Sequence, residues 1–96
     1  MTTFTFDDLL MEIARDCLKK NTHKQFPAIE FTAKENKKYR ELEKSVKPSY
    51  GFWGGYAYVD AIEGRKYGFI RLYSPQGSAK WGFDVENNKV TDVYVV

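Results

Sequence analysis

A chain of 96 residues has room for one domain, and at this size it buries roughly 60–65% of the surface its unfolded form exposes. That allows one core and excludes a core plus a deep, enclosed active site. With 43% hydrophobic and 29% charged residues the composition is that of a globular protein and excludes disorder. The net charge of +2, from 15 basic and 13 acidic residues, is too close to neutral to announce a nucleic-acid binder by bulk electrostatics. The lone cysteine, Cys17, excludes a disulfide framework and suits a reducing compartment.

The chain starts Met1-Thr2-Thr3-Phe4-Thr5-Phe6-Asp7-Asp8, without the basic and apolar regions of a secretory signal. Apolar runs are too short to span a bilayer, so the expected compartment is the cytosol.

From there an amphipathic helix is predicted over residues 6–20. Phe6, Leu9, Leu10, Ile13, Ala14 and Cys17 recur at three- and four-residue spacing and form one apolar stripe. Thr5 or Asp7 suits the cap, Asp7 and Asp8 favour the positive end of the dipole, and Lys19 and Lys20 favour the negative end. Polar residues from Asn21 lead into Phe26-Pro27-Ala28-Ile29, a crossing that proline keeps non-helical. Thr32-Ala33-Lys34-Glu35 fits a capping box and opens a second helix, predicted over 32–46, with a thin stripe of Tyr39, Leu42 and Val46. Lys47 to Gly55 is a linker-like piece rich in Gly, Pro, Ser and aromatics.

Beyond Gly54 the period turns to alternation, with strands at about 55–62, 66–73, 79–85 and 89–96. Glu63-Gly64-Arg65, Ser74 to Ser78, and Asn87-Asn88 carry turn chemistry, and links this short make the strands antiparallel neighbours. The predicted architecture is therefore α+β, a single domain of two N-terminal helices packed on one face of a four-stranded antiparallel meander.

Side chains suited to catalysis are sparse. The single histidine, His23, falls in a basic loop, and Cys17 lies on the apolar stripe. One Cys and one His cannot build a structural zinc site, and Gly51, Gly54 and Gly55 match no nucleotide-binding pattern. The expectation is a protein that is not an enzyme and takes no cofactor, no metal and no small-molecule substrate.

Three surfaces suit binding. On helix 1, Asp8, Glu12 and Asp16 are spaced by four, with Asp7 near the start, so successive carboxylates stand about 6 Å apart along the axis. Such a row is either an imitation of the phosphates of a nucleic-acid strand or a solvated helix face tempered by Glu12–Arg15 and Asp16–Lys20 pairs. A second, basic surface gathers Lys19, Lys20, His23 and Lys24 with Lys34, Lys37, Lys38, Arg40 and Lys44, but Glu35, Glu41 and Glu43 interrupt the run and equally fit a mixed, solvated helix face.

The third surface is aromatic, since 11 of the 16 Phe, Tyr and Trp residues lie from Tyr50 onward. Alternation turns Ala57, Val59, Ile70 and Leu72 one way and Tyr56, Tyr58, Tyr67, Phe69, Arg71 and Tyr73 the other. Lys66-Tyr67-Gly68-Phe69-Ile70 resembles the short aromatic strand by which cold-shock and RNA-recognition domains stack bases. Tyr67, Phe69 and Arg71 would serve a single-stranded nucleic-acid-binding module.

The acidic helix beginning Thr5-Phe6-Asp7-Asp8-Leu9-Leu10 and the tyrosine-rich sheet together resemble a phage-type anti-CRISPR protein, similar to inhibitors of type I-F surveillance complexes. The resemblance implies a non-enzymatic inhibitor in the cytoplasm of an infected bacterial host. It implies binding to the large and Cas5-like subunits of a CRISPR-Cas complex so that target DNA is blocked. In that reading Asp7, Asp8, Glu12 and Asp16 stand in for phosphates, and Tyr50, Trp53 and Tyr56 anchor the partner.

Overall fold

Thr5 opens the first helix by a reciprocal pair of bonds. Its hydroxyl accepts the Asp8 amide at 3.1 Å, and the Asp8 carboxylate accepts the Thr5 amide at 2.9 Å, satisfying two donors that a helix start leaves without partners. The computed structural model describes residues 4–20, 29–46, 50–62 and 65–96, with the side chains of Ile29, Ala61, Ile62 and Arg65 set aside. Helix α1 spans Phe6–Lys20 and buries Leu9, Leu10, Ile13, Ala14, Cys17 and Leu18. The expected stripe thus gains Leu18, while Phe6 is half-buried at its edge.

A two-residue strand, β1 (Ile29–Glu30), follows, and then α2 (Ala33–Glu43). Thr32 caps α2 with the full box, its hydroxyl accepting the Glu35 amide and the Glu35 carboxylate accepting the Thr32 amide. The α-helix stops at Glu43 rather than near 46. Lys44, Ser45 and Val46 instead bond three residues back, to Glu41, Leu42 and Glu43, a tightened last turn that uses up orphan carbonyls. The expected crossing at 21–28 and the linker residues 47–49 lie outside the described residues.

Four long strands complete the chain: β2 (Gly54–Ile62), β3 (Arg65–Ser74), β4 (Gly77–Glu86) and β5 (Lys89–Val95). All neighbours are antiparallel, in the order β1-β2-β3-β4-β5. This is the α+β meander that alternation indicates, with β1 added beside β2. The β3–β4 link is tighter than the sequence suggests, because Ser74 pairs directly with Gly77 around Pro75 and Gln76. Gly77 supplies the φ of +122° that this turn needs, a region costly for any side chain. Asn87 and Asn88 both adopt left-handed φ, 54° and 62°, as a two-residue hairpin turn requires.

One face of the sheet holds the core. Ala57, Val59, Ile70, Leu72, Phe83 and Val85 are buried there with the apolar side of α1. Helix α1 packs on β2, β3 and β5, and α2 lies against α1. Tyr39 carries the α2 contact, fully buried and edge-on to Phe31 with ring centroids 5.1 Å apart. Among the described residues no helix covers the other face.

Candidate functional site: an open aromatic sheet face

Pairing register decides which side chains share the uncovered face. Tyr56 stands opposite Arg71 and Arg71 opposite Lys80; Tyr58 opposite Phe69 and Phe69 opposite Gly82. Asp60 stands opposite Tyr67, and Tyr67 opposite Asp84. Directly opposed residues point to the same side of a sheet, so these groups, with Tyr73, form one surface. The alternation read from β2 and β3 therefore places every one of these aromatics on the side away from the core.

The rings form an unbroken series. Trp53 stacks on Tyr73 at 5.2 Å, Tyr73 approaches Tyr56 at 6.2 Å, and Tyr56 stacks on Tyr58 at 6.2 Å. Tyr58 then meets Phe69 at 5.3 Å, and Phe69 meets Tyr67 edge-on at 5.6 Å. Six rings in mutual contact hold one another in place, which lowers the ordering entropy a partner must offset on docking. Trp53 is the most accessible, 59% exposed. It is fixed from both sides of its backbone: its amide donates to the Tyr73 carbonyl at 2.8 Å, and its carbonyl accepts the Asn36 side-chain amide at 2.9 Å.

Cations sit within this face. The Lys80 ammonium lies 4.3 Å from the centroid of the Phe69 ring, a cation–π contact. Arg71 donates from Nη1 to the Ser78 hydroxyl at 2.7 Å, while its Nε is buried without a hydrogen-bond acceptor. Acids occupy the far end. Tyr67 donates to Asp60 at 3.4 Å and Tyr94 donates to Asp84 at 3.1 Å. The Tyr94 ring itself lies over Gly82, where an added Cβ would come within 2.5 Å of it. That glycine is what lets the ring lie down on the strand.

The structure divides the other sequence-derived candidates. Tyr50 is separated from Trp53 and Tyr56: it packs on the core side in a ring triangle, 5.8 Å from Phe6 and 5.6 Å from Trp81. Trp53 and Tyr56 instead join Tyr67, Phe69 and Arg71 on one surface. Spacing in β2 and β3 reveals the strand parity, but the sequence holds no sign of how Trp53, before β2, would fold onto Tyr73. Lys80, Asp84 and Tyr94 were missed because β4 and β5 mix small, charged and aromatic residues without clean alternation.

The helix 1 acids lie across the protein from the rings and are largely engaged. Asp8 closes the helix cap. Asp16 accepts the Tyr39 hydroxyl at 2.7 Å and the Lys38 ammonium at 3.0 Å, and Lys38 also reaches Glu12 at 3.6 Å. Glu12 further pairs with Arg15 at 3.9 Å. Lys20, expected to meet Asp16, pairs instead with Glu35. Asp7 is exposed. Of the basic surface, Lys20, Lys38 and Lys44 are tied to Glu35, Asp16 and Glu41, and His23 and Lys24 lie outside the described residues.

The Asp16 cluster fastens α2 to α1. Burial opposes ionisation of Asp16, yet the Tyr39 hydroxyl and Lys38 outweigh it and hold the carboxyl below the ordinary aspartate range. Burial, reinforced by Asp16, pushes the Tyr39 phenol well above its usual value. A carboxyl depressed in the folded state stabilises above its unfolded pKa, about 4, and that stability is lost as pH falls through the folded value. Asp16→Asn should therefore cost about 1–2 kcal/mol at pH 7 and progressively less below about pH 4. Urea melts across pH 2–7 check this; a deficit unchanged at low pH would show that the carboxylate charge has no part in it.

A groove of about 370 Å³ between α1 and the β4–β5 turn is lined by Glu12, Arg15, Asp16, Lys19, Asn88 and Lys89 among others. Its charges are mixed, and two of its acids already serve Lys38. Among the described residues no group of three or more His, Cys, Asp and Glu is placed to hold a metal ion, and no helix is long and apolar enough to cross a membrane. Comparison of the chain with family models, curated proteins and solved structures finds no match.

Proposed function

We propose that this chain is a non-enzymatic protein-binding module that docks through the open aromatic face of its sheet. One observation carries the reading: six rings, Trp53 to Tyr67, run in unbroken contact across a surface that no described helix covers. Trp, Tyr and Arg dominate interface hot spots because they bury much area while losing little rotamer freedom. Asp60 and Asp84 on the same face favour a protein over a polyanion, since a phosphate backbone crossing it would meet fixed negative charge. An inhibitor of a CRISPR effector complex, as the resemblance suggests, is one member of this class. Its anchors would be Trp53 and Tyr56 rather than the helix acids, most of which already have partners within the chain.

The test compares three tagged forms: the unaltered chain, a Trp53→Ser/Tyr58→Ser variant, and an Asp7→Lys/Glu12→Lys variant. Each is offered a purified type I-F surveillance complex and, separately, labelled single-stranded oligonucleotides. Capture of the complex, lost by at least about tenfold in the ring variant (an interface hot spot is worth about 2 kcal/mol or more) and kept by the acid variant, is the expected result. Loss confined to the acid variant would return the site to helix 1. Steeply salt-dependent oligonucleotide binding would replace a protein partner with nucleic acid.

A further inference from the structure

The open face is graded in charge along the strand direction. Cross-strand partners set three parallel rows: Tyr56–Arg71–Lys80, then Tyr58–Phe69–Gly82–Tyr94, then Asp60–Tyr67–Asp84–Asp92. The first row carries two cations, with Glu30 at its β1 rim opposite Tyr56. The third carries three acids. The middle row is aromatic, with Gly82 lying beneath Tyr94. Rows two residues apart are separated by about 7 Å along a strand, so the cationic and acidic rows flank the middle aromatic row at equal distances, with Tyr73 and the Trp53 stacked on it lying one row beyond the cations.

Such a face complements itself. Consider a two-fold axis lying in the plane of the face and running across the strands through the middle row. It keeps each strand opposite its own copy and exchanges the outer rows. Lys80 then faces Asp84 of the second copy, Arg71 faces the Tyr67 ring, and the Tyr56 hydroxyl faces Asp60. Tyr58 and Phe69 meet their own equivalents on the axis. An axis along the strands would instead oppose acid to acid and cation to cation. Packed sheets rotate by about 30° relative to one another, which displaces the outer rows by about 4 Å, within reach of lysine and arginine side chains.

We infer that in the free protein the occupant of this face is a second copy of the chain, docked face to face in an isologous dimer that a tighter partner displaces. The inference rests on the reading of this face as a docking surface and names its partner. Four strands by eight residues give a footprint on the order of 500 Å² per copy. That lies at the lower edge of specific interfaces, so the dimer is reversible and weakened by salt. The Arg71 Nε, buried without an acceptor, lies in the outer cationic row, which the axis sets opposite the acidic row of the second copy.

Sedimentation of the full chain up to about 1 mM provides the test, with Lys80→Glu and Asp84→Lys as charge-swap variants. By symmetry each variant creates two like-charge contacts and is expected to dissociate the dimer by about tenfold or more. Mixed in equal amounts, the two variants regain opposite charges at every exchanged position and should form a heterodimer. The Lys80→Glu/Asp84→Lys double variant should recover self-association for the same reason. Recovery on mixing also shows that each variant is folded. An unaltered chain that stays monomeric throughout, or a dimer insensitive to the swaps, or single variants not rescued by mixing, would each overturn the second-copy assignment. The docking-face reading fails separately, if Trp53→Ser/Tyr58→Ser captures the surveillance complex as well as the unaltered chain does.

Discussion

Replacing Phe83 with alanine should cost about 3–5 kcal/mol, a large share of a whole stability of about 5–14 kcal/mol at this length. Phe83 is fully buried at the centre of the sheet, on the core side of β4. Its ring lies directly over Gly68, its cross-strand neighbour on β3. A Cβ built on Gly68 would come within 2.1 Å of the ring. The two residues are therefore one packing unit, a large ring laid over a bare backbone. Truncating the ring leaves a void that neighbouring strands, fixed by their hydrogen-bond ladders, cannot collapse to fill. Gly68→Ala should also destabilise, by about 1–3 kcal/mol from overpacking. Combined with Phe83→Leu its cost should shrink, because the smaller side chain vacates the space the methyl needs. Urea titration of the four proteins reads this cycle. Strict additivity would mean that the ring and the glycine do not constrain each other.

Glu43→Ala should cost about 2–3 kcal/mol, from losing two charge-assisted hydrogen bonds. Glu43 is 5% exposed, yet it sits in the last turn of α2 among residues whose sequence reads as a solvated face. Its two carboxylate oxygens accept the backbone amides of Tyr50 at 3.1 Å and Gly51 at 3.3 Å. Gly51 has a φ of +73°, and the clamp secures this turn immediately before Trp53. The substitution should therefore both lower stability and loosen Trp53, read as a red shift and reduced anisotropy of its fluorescence in a Trp81→Phe background. Glu43→Gln retains an acceptor and should lose roughly half as much. An alanine variant as stable as the parent would show that water replaces the carboxylate without cost.

Periodicity made the secondary structure legible. Phe6 to Cys17 at helical spacing, Thr32 with Glu35 at the next start, and strict alternation in β2 and β3 are local signals, and the chain obeys them. Asn87-Asn88 announced its turn because few other residues tolerate φ above zero at two successive positions. The short strand β1 gave no such signal, since two residues carry no period and pair only because β2 offers an edge.

The candidate site was legible only in part. Parity placed Tyr56, Tyr58, Tyr67, Phe69, Arg71 and Tyr73 together, because in a strand the side a residue faces follows from its position alone. Parity was silent on Tyr50 and Trp53, three residues apart in an irregular segment, which the fold sends to opposite sides of the sheet. The acidic row on helix 1 has the spacing that the sequence shows. Its partners, Lys38 and Tyr39, come from 22 and 23 residues further on from Asp16, and no helical period encodes a contact with another helix. By itself, the sequence determined the α+β class, the order of the four long strands and the face composition of β2 and β3, all consequences of short-range geometry. Only the tertiary structure decided which charges neutralise one another, which ring lies over which glycine, and how cations and acids divide the open face, because each depends on register between segments distant along the chain.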